Sequence, residues 1–168
     1  MRRSAAGFSL VELAVVVALV AILSAAAAPR MTAVINANRL AGTSGELTAA
    51  LQLARSEAIR RSARVTVCAS ADGTTCTAST AWTRWIIVGR DHAAGTDDVI
   101  RDQGGAGTVQ IQGPRDGVRF NPSGLANAEQ VLTTCIPTTK PADNQREIRV
   151  LVSGSVLSTR KNGGGRCP

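Results

Sequence analysis

The sequence predicts an α+β chain in which one long N-terminal helix, transmembrane and then amphipathic, packs on a C-terminal antiparallel β domain. Three observations lead there. An apolar run, Phe8 to Ala28, stands at the head of the chain. An apolar period of 3.6 residues resumes beyond Pro29. From "RVTVCAS" onward the period drops to two, and Gly, Pro, Asn and Asp break the chain into short segments.

The first seven residues, "MRRSAAG", form a short basic leader. Residues 8–28 follow as a mainly apolar run of 21, about enough helix to cross a hydrocarbon core of roughly 30 Å. Arg2 and Arg3 keep the leader in the cytoplasm under the positive-inside rule. The small residues near Ala28 also suit removal of an ordinary secretory signal. Glu12 argues against a plain signal or anchor, because a carboxylate inside a span is costly and calls for a partner. A cut between Gly7 and Phe8 supplies one. It creates an amino group one helical turn from Glu12, on the same helix or a neighbour's, and the two charges attract strongly in low dielectric.

Residues 29–63 continue the helix. Leu40, Leu47, Leu51, Ala54 and Ala58 fall on one face, which we expect to pack on a sheet. Glu57 is placed to pair with Arg60 or Arg61. Gly42 and Gly45 weaken this stretch. The helix is expected to end near Arg61 to Ala63.

Residues 64–168 read as the β domain. "RVTVCAS" is a strand and "ADGTTC" its turn; "WTRWIIVG", "TDDVIRDQ", "GTVQIQG", "GVRFNPSG", "QVLTTCIP" and "REIRVLVSGSVLSTR" follow, with "TTKPADNQ" a loop. Trp82 and Trp85, three apart, are expected on opposite faces of one strand, one in the core and the other in core or edge packing rather than as an exposed contact or a stacking platform for bases. The net charge of +7 is unevenly spread: no acid follows Glu147, while Arg149, Arg160, Lys161 and Arg166 do. The end, "KNGGGRCP", is a flexible basic tail unless Cys167 is tied down.

Four cysteines in an exported domain point to two disulfides, and the favoured pairing is Cys68–Cys76 with Cys135–Cys167. No metal or other cofactor is expected, since no C-x-x-C occurs and His92 is the sole histidine. No catalytic constellation emerges, so an enzyme is not expected. Asp97 and Asp98 read as solvated turn residues rather than a calcium site. "GGAG" at Gly104 to Gly107 lacks the lysine of a phosphate loop.

The head of the chain, a basic leader with Gly7 and then "FSLVEL", resembles the class III signal of type IV pilins and type II secretion pseudopilins. The resemblance implies that prepilin peptidase cuts after Gly7 and methylates Phe8, that Glu12 is the assembly residue, and that Pro29 kinks the helix. "ARSEAIRR", "VTVCASADGTTC", "WTRWIIV", "GVRFNPSG" and "REIRVLVSGSV", in that order, are similar to the GspH/FimT branch of pseudopilins and minor pilins. That branch implies a single-pass inner-membrane protein with a periplasmic domain. It would be drawn by the inner-membrane assembly platform into a filament of other pilins or pseudopilins, supporting filament assembly and protein secretion. Some members instead bind DNA in natural transformation, through a GRxR-like motif near the C-terminus. Here the corresponding stretch is "GSVL", Gly154 to Leu157, with neither arginine, so Arg160, Lys161 and Arg166 are the candidate phosphate contacts.

Overall fold

One helix, α1 (Leu10–Arg61), joins the apolar run to the amphipathic continuation and passes through Pro29, where the ladder lacks one N–H donor. The computed structural model describes residues 9–91, 95–105 and 107–168, without the side chains of 25–30 and 91. Gly7, Phe8 and His92 lie outside the described residues. The helix closes at Ser62, in the left-handed region with φ 49°. There Ser62 N–H donates to the Ile59 carbonyl and Ala63 N–H to the Ala58 carbonyl, satisfying groups the helix end would otherwise leave bare.

Eight strands follow among the described residues: β1 (Val65–Ala69), β2 (Arg84–Asp91), β3 (Thr96–Gly104), β4 (Gln110–Gln112), β5 (Val118–Phe120), β6 (Gln130–Cys135), β7 (Gln145–Val150) and β8 (Val156–Lys161). They form two antiparallel four-stranded sheets, ordered β3-β2-β1-β5 and β4-β6-β7-β8. Isolated bridges, Ala81 with Gln112 and Phe120 with Ala126, stitch the connecting segments to strand ends.

α1 touches β1, β2 and β5 of the first sheet and β6, β7 and β8 of the second. Its whole expected face is buried: Leu40, Leu47, Leu51, Ala54 and Ala58 each have no exposed surface. Ala50 joins them, and this face meets Val65, Val67, Trp85, Phe120, Leu132, Ile148 and Val150 in one core. Leu40 packs separately with Val109 and Ile136, nearer the free end of the helix.

Three expectations change. Trp82 and Trp85 do not share a strand: Trp82 lies ahead of β2, and both are packed in the core. There its indole Nε1–H donates to the Ser79 carbonyl at 3.1 Å, and its backbone N–H to Ile111. "REIRVLVSGSVLSTR" is a hairpin, β7 and β8, not one strand; it turns at Gly154 with φ 80°. Asp97 and Asp98 belong to β3, not a turn, and each faces an arginine, Arg90 at 3.5 Å and Arg61 at 2.5 Å.

Both disulfides of the favoured pairing are present, Cys68–Cys76 and Cys135–Cys167. The second holds the tail. The Arg166 carbonyl also accepts from Asn144 Nδ2 and Gln145 Nε2, and Gly163 N–H donates to Asn144 Oδ1.

Candidate assembly site

The two ends of α1 sit in different surroundings. Between Leu10 and Leu23, ten Leu, Val and Ile side chains are exposed, from Val16 at 48% to Leu10 at 84%. Full burial of each such side chain stabilises by about 1.5–3 kcal/mol, so covering them is worth on the order of 10 kcal/mol or more. That matches the stability of a whole domain, roughly 5–15 kcal/mol. Among the described residues no helix is long and apolar enough to cross a membrane.

Glu12 lies on this uncovered half, exposed, in the first turn of α1. A carboxylate there also meets the positive end of the helix dipole. The helix begins after Ser9, whose carbonyl accepts from Leu13 N–H at 3.1 Å.

The opposite end of α1 is fastened by charge. Glu57 accepts from both Arg60 and Arg61, where the sequence allowed either, and these bonds hold its carboxyl below the usual range. Arg61 also reaches Asp98, tying the helix end to β3. On the same sheet Arg84 pairs with Asp102. Asp72, in the "ADGTTC" turn, is held well below its ordinary pKa, chiefly by backbone N–H groups of Thr75 and Thr74.

The fold also unites three quoted motifs that the sequence could not connect. Arg55, from "RSEAI", donates from Nη1 to the Gly154 carbonyl at 3.1 Å. Gly154 lies against Gly124 of "FNPSG": a Cβ on Gly154 would stand 2.1 Å from the Gly124 carbonyl oxygen. These glycines allow two loops to meet over the helix, so the motifs carry packing. The signal was available as glycines in fixed company, but not their contact.

Of the candidate phosphate contacts, Lys161 faces Glu147 at 3.6 Å, Arg160 stands opposite Arg146, and Arg166 is exposed on the bonded tail. The fold does not gather them into one cleft of unpaired cations. Among the described residues, no group of three or more His, Cys, Asp and Glu side chains could hold a metal.

Comparison with known proteins decides the family. The profile described as "Type II transport protein GspH" matches residues 43–155. The chain belongs to the GspH family. A second profile, the "Prokaryotic N-terminal methylation motif", matches residues 2–28. No curated protein sequence matches the chain. Among solved structures, this GspH-family chain is similar to the type IV minor pilin FimU of Pseudomonas aeruginosa. The identity is 23%, the TM-score 0.56, and 73% of this chain and 89% of that one are covered. It is also similar to the minor pseudopilin EpsH from the type 2 secretion system of Vibrio cholerae, at 14% identity and TM-score 0.53, with 73% and 97% covered. At such identities the likeness speaks for the fold. The family is one of structural pilin and pseudopilin subunits, not enzymes, whose members assemble with other such subunits into filaments.

Proposed function

We propose that this GspH-family chain is a minor subunit that waits in the inner membrane as a single-pass protein with its β domain in the periplasm. Prepilin peptidase removes residues 1–7 and methylates Phe8, and the inner-membrane assembly platform then draws the subunit into a pseudopilus or type IV pilus. There it supports filament assembly and protein secretion. The observation that carries this reading is the uncovered apolar half of α1, joined to a domain whose core is built from residues beyond it. Lipid or the helices of other subunits would cover such a surface. The methylation motif over residues 2–28 supports the processing step.

In this mechanism Glu12 meets the amino group at Phe8 of a neighbouring subunit. Two unit charges about 4 Å apart attract by about 4 kcal/mol at an effective dielectric near 20, enough to select one axial register among several. A Glu12→Ala variant is expected to fold and remain in the membrane fraction but to be missing from sheared filaments. Its normal incorporation would sink the mechanism. Mass spectrometry of the mature chain is expected to find N-methylated Phe8 at the N-terminus; a chain beginning at Met1 or after Ala28 would overturn the processing step.

DNA uptake is the competing role and has less support, since Lys161 is engaged by Glu147 and "GSVL" forms a turn and strand start. A band shift with duplex DNA that weakens steeply with salt would revive it.

A further inference from the structure

Most arginines on the first sheet and at the end of α1 have a carboxylate: Arg60 and Arg61 with Glu57, Arg84 with Asp102, Arg90 with Asp97. The hairpin of β7 and β8 has such pairs on one face, where Arg149 and Lys161 meet Glu147, but not on the other. Its register sets Arg146 directly opposite Arg160. Like charges facing each other across a strand pair are destabilising. Among the described residues neither guanidinium makes an ion pair, and Arg146 Nη1 has only a long bond, 3.4 Å, to the Gln145 carbonyl. Asp143 acts on Arg146 from the adjoining loop, but burial and Arg160 together still push the Arg146 pKa down. A pair of this kind is relieved by an anion that bridges both side chains.

Its place in the molecule indicates which anion. Arg146 and Arg160 share the sheet face of Ile148 and Val150, which packs on α1. They stand at the end of that face turned toward the apolar half of the helix. Asn36 Nδ2 donates to the Lys140 carbonyl at 3.1 Å, and Leu40 packs on Ile136, so the loop before β7 lies beside the first helical turns above the apolar run. Lys140 and Arg39, both exposed, belong to the same end.

We propose that this end of the β domain is a seat for anionic phospholipid headgroups, with Arg146 and Arg160 sharing a headgroup phosphate and Lys140 and Arg39 flanking it. The inference rests on the membrane-stored subunit proposed above. If the hydrocarbon ends near Ala28, Asn36 stands about 12 Å above it. Headgroups fill roughly the first 5–8 Å of that distance, and charge is felt over about 8 Å more. Lys140 is therefore within reach, and a helix tilt of about 20° brings the sheet side lower. The seat would hold the domain in one orientation on the membrane until extraction.

The test uses the full chain in lipid nanodiscs, either neutral phosphatidylcholine or the same lipid with about one third phosphatidylglycerol. The readout is amide hydrogen exchange over residues 136–147 and 157–166. A cation near an anionic surface is worth about fivefold in affinity, so exchange in anionic discs is expected to slow by about fivefold or more. High salt should remove the effect, and Arg146→Gln with Arg160→Gln should reduce it to less than half. The salt series on the unaltered chain keeps the test decisive even if the double variant folds poorly. Equal exchange in both discs, with the chain inserted in each, overturns the seat and leaves the membrane reading standing. Failure to enter neutral discs overturns both. Stronger protection by duplex DNA than by anionic lipid would make the surface a nucleic-acid contact and overturn the lipid proposal.

Discussion

The two halves of α1 are the same secondary structure in two environments. From Leu40 to Ala58 it lays Leu and Ala side chains on two sheets and leaves its polar side to water. From Leu10 to Leu23 its Leu, Val and Ile side chains are exposed, as are Met31, Val34 and Ile35 further on. The difference shows that helix formation and burial are separate matters here. Among the described residues the near half is left uncovered by its own chain, while the far half is held by its own domain.

The sharpest way to break this contrast is to cut one leucine from each half. Leu51→Ala should destabilise the domain by about 3 kcal/mol, through lost burial and the cavity left behind. Leu19→Ala should change it by less than about 0.5 kcal/mol, as expected away from any packed site. Chemical denaturation of the full chain in mild detergent, followed by tryptophan fluorescence of the buried Trp82 and Trp85, measures both. Equal losses would mean that the apolar half also supports the domain.

Next comes the junction where the far half meets its loops. Gly154→Ala places a Cβ against the Gly124 carbonyl in a backbone with φ 80°. The same unfolding assay should register a loss of about 2 kcal/mol, consistent with strain at a left-handed position plus a backbone clash. No change would mean that the two loops are not held together as described.

A smaller effect tests the electrostatic fastening. Asp98→Asn removes the carboxylate beside Arg61, and both groups are partly exposed. The loss should be near 0.5 kcal/mol and should shrink in high salt. A loss of several kcal/mol would show that charge rather than packing fixes the helix end.

The smallest effect is set by pH. Glu57, Asp72, Asp102 and Glu147 all have lowered carboxyl pKa values, Glu57 by Arg60 first, Asp102 by Arg84 and Glu147 by Arg149. Because the folded values lie below the unfolded ones, their stabilisation is fully present above about pH 5 and is lost as pH falls through and below about 4. A melting temperature that is flat from pH 5 to 7 and declines below 4 is the expected profile; a rise on acidification would contradict these contacts.

Much of the molecule could be read from local pattern. The helical face from Leu40 to Ala58, the helix end near Arg61 and the disulfide pairing follow from residue types and their spacing. The alternation that marks β2 also runs through Trp82, but that residue belongs to a segment that bridges to β4 instead. The β7–β8 hairpin is not legible in "LVSGSV", whose single glycine between apolar residues reads as unbroken strand, whereas Gly154 takes a left-handed turn there.

By itself, the sequence determined the order of elements, the apolar head with its single carboxylate and the α+β class. Those depend on neighbours along the chain, through hydrogen-bond period and hydropathy. Only the tertiary structure decided that Arg55 holds Gly154 over Gly124, that Arg61 crosses to Asp98, and that Arg146 faces Arg160. The reason is that such meetings are set by strand register and sheet order. Both are chosen by burial of the whole core, and residues far apart in the chain carry no local mark of whom they will meet.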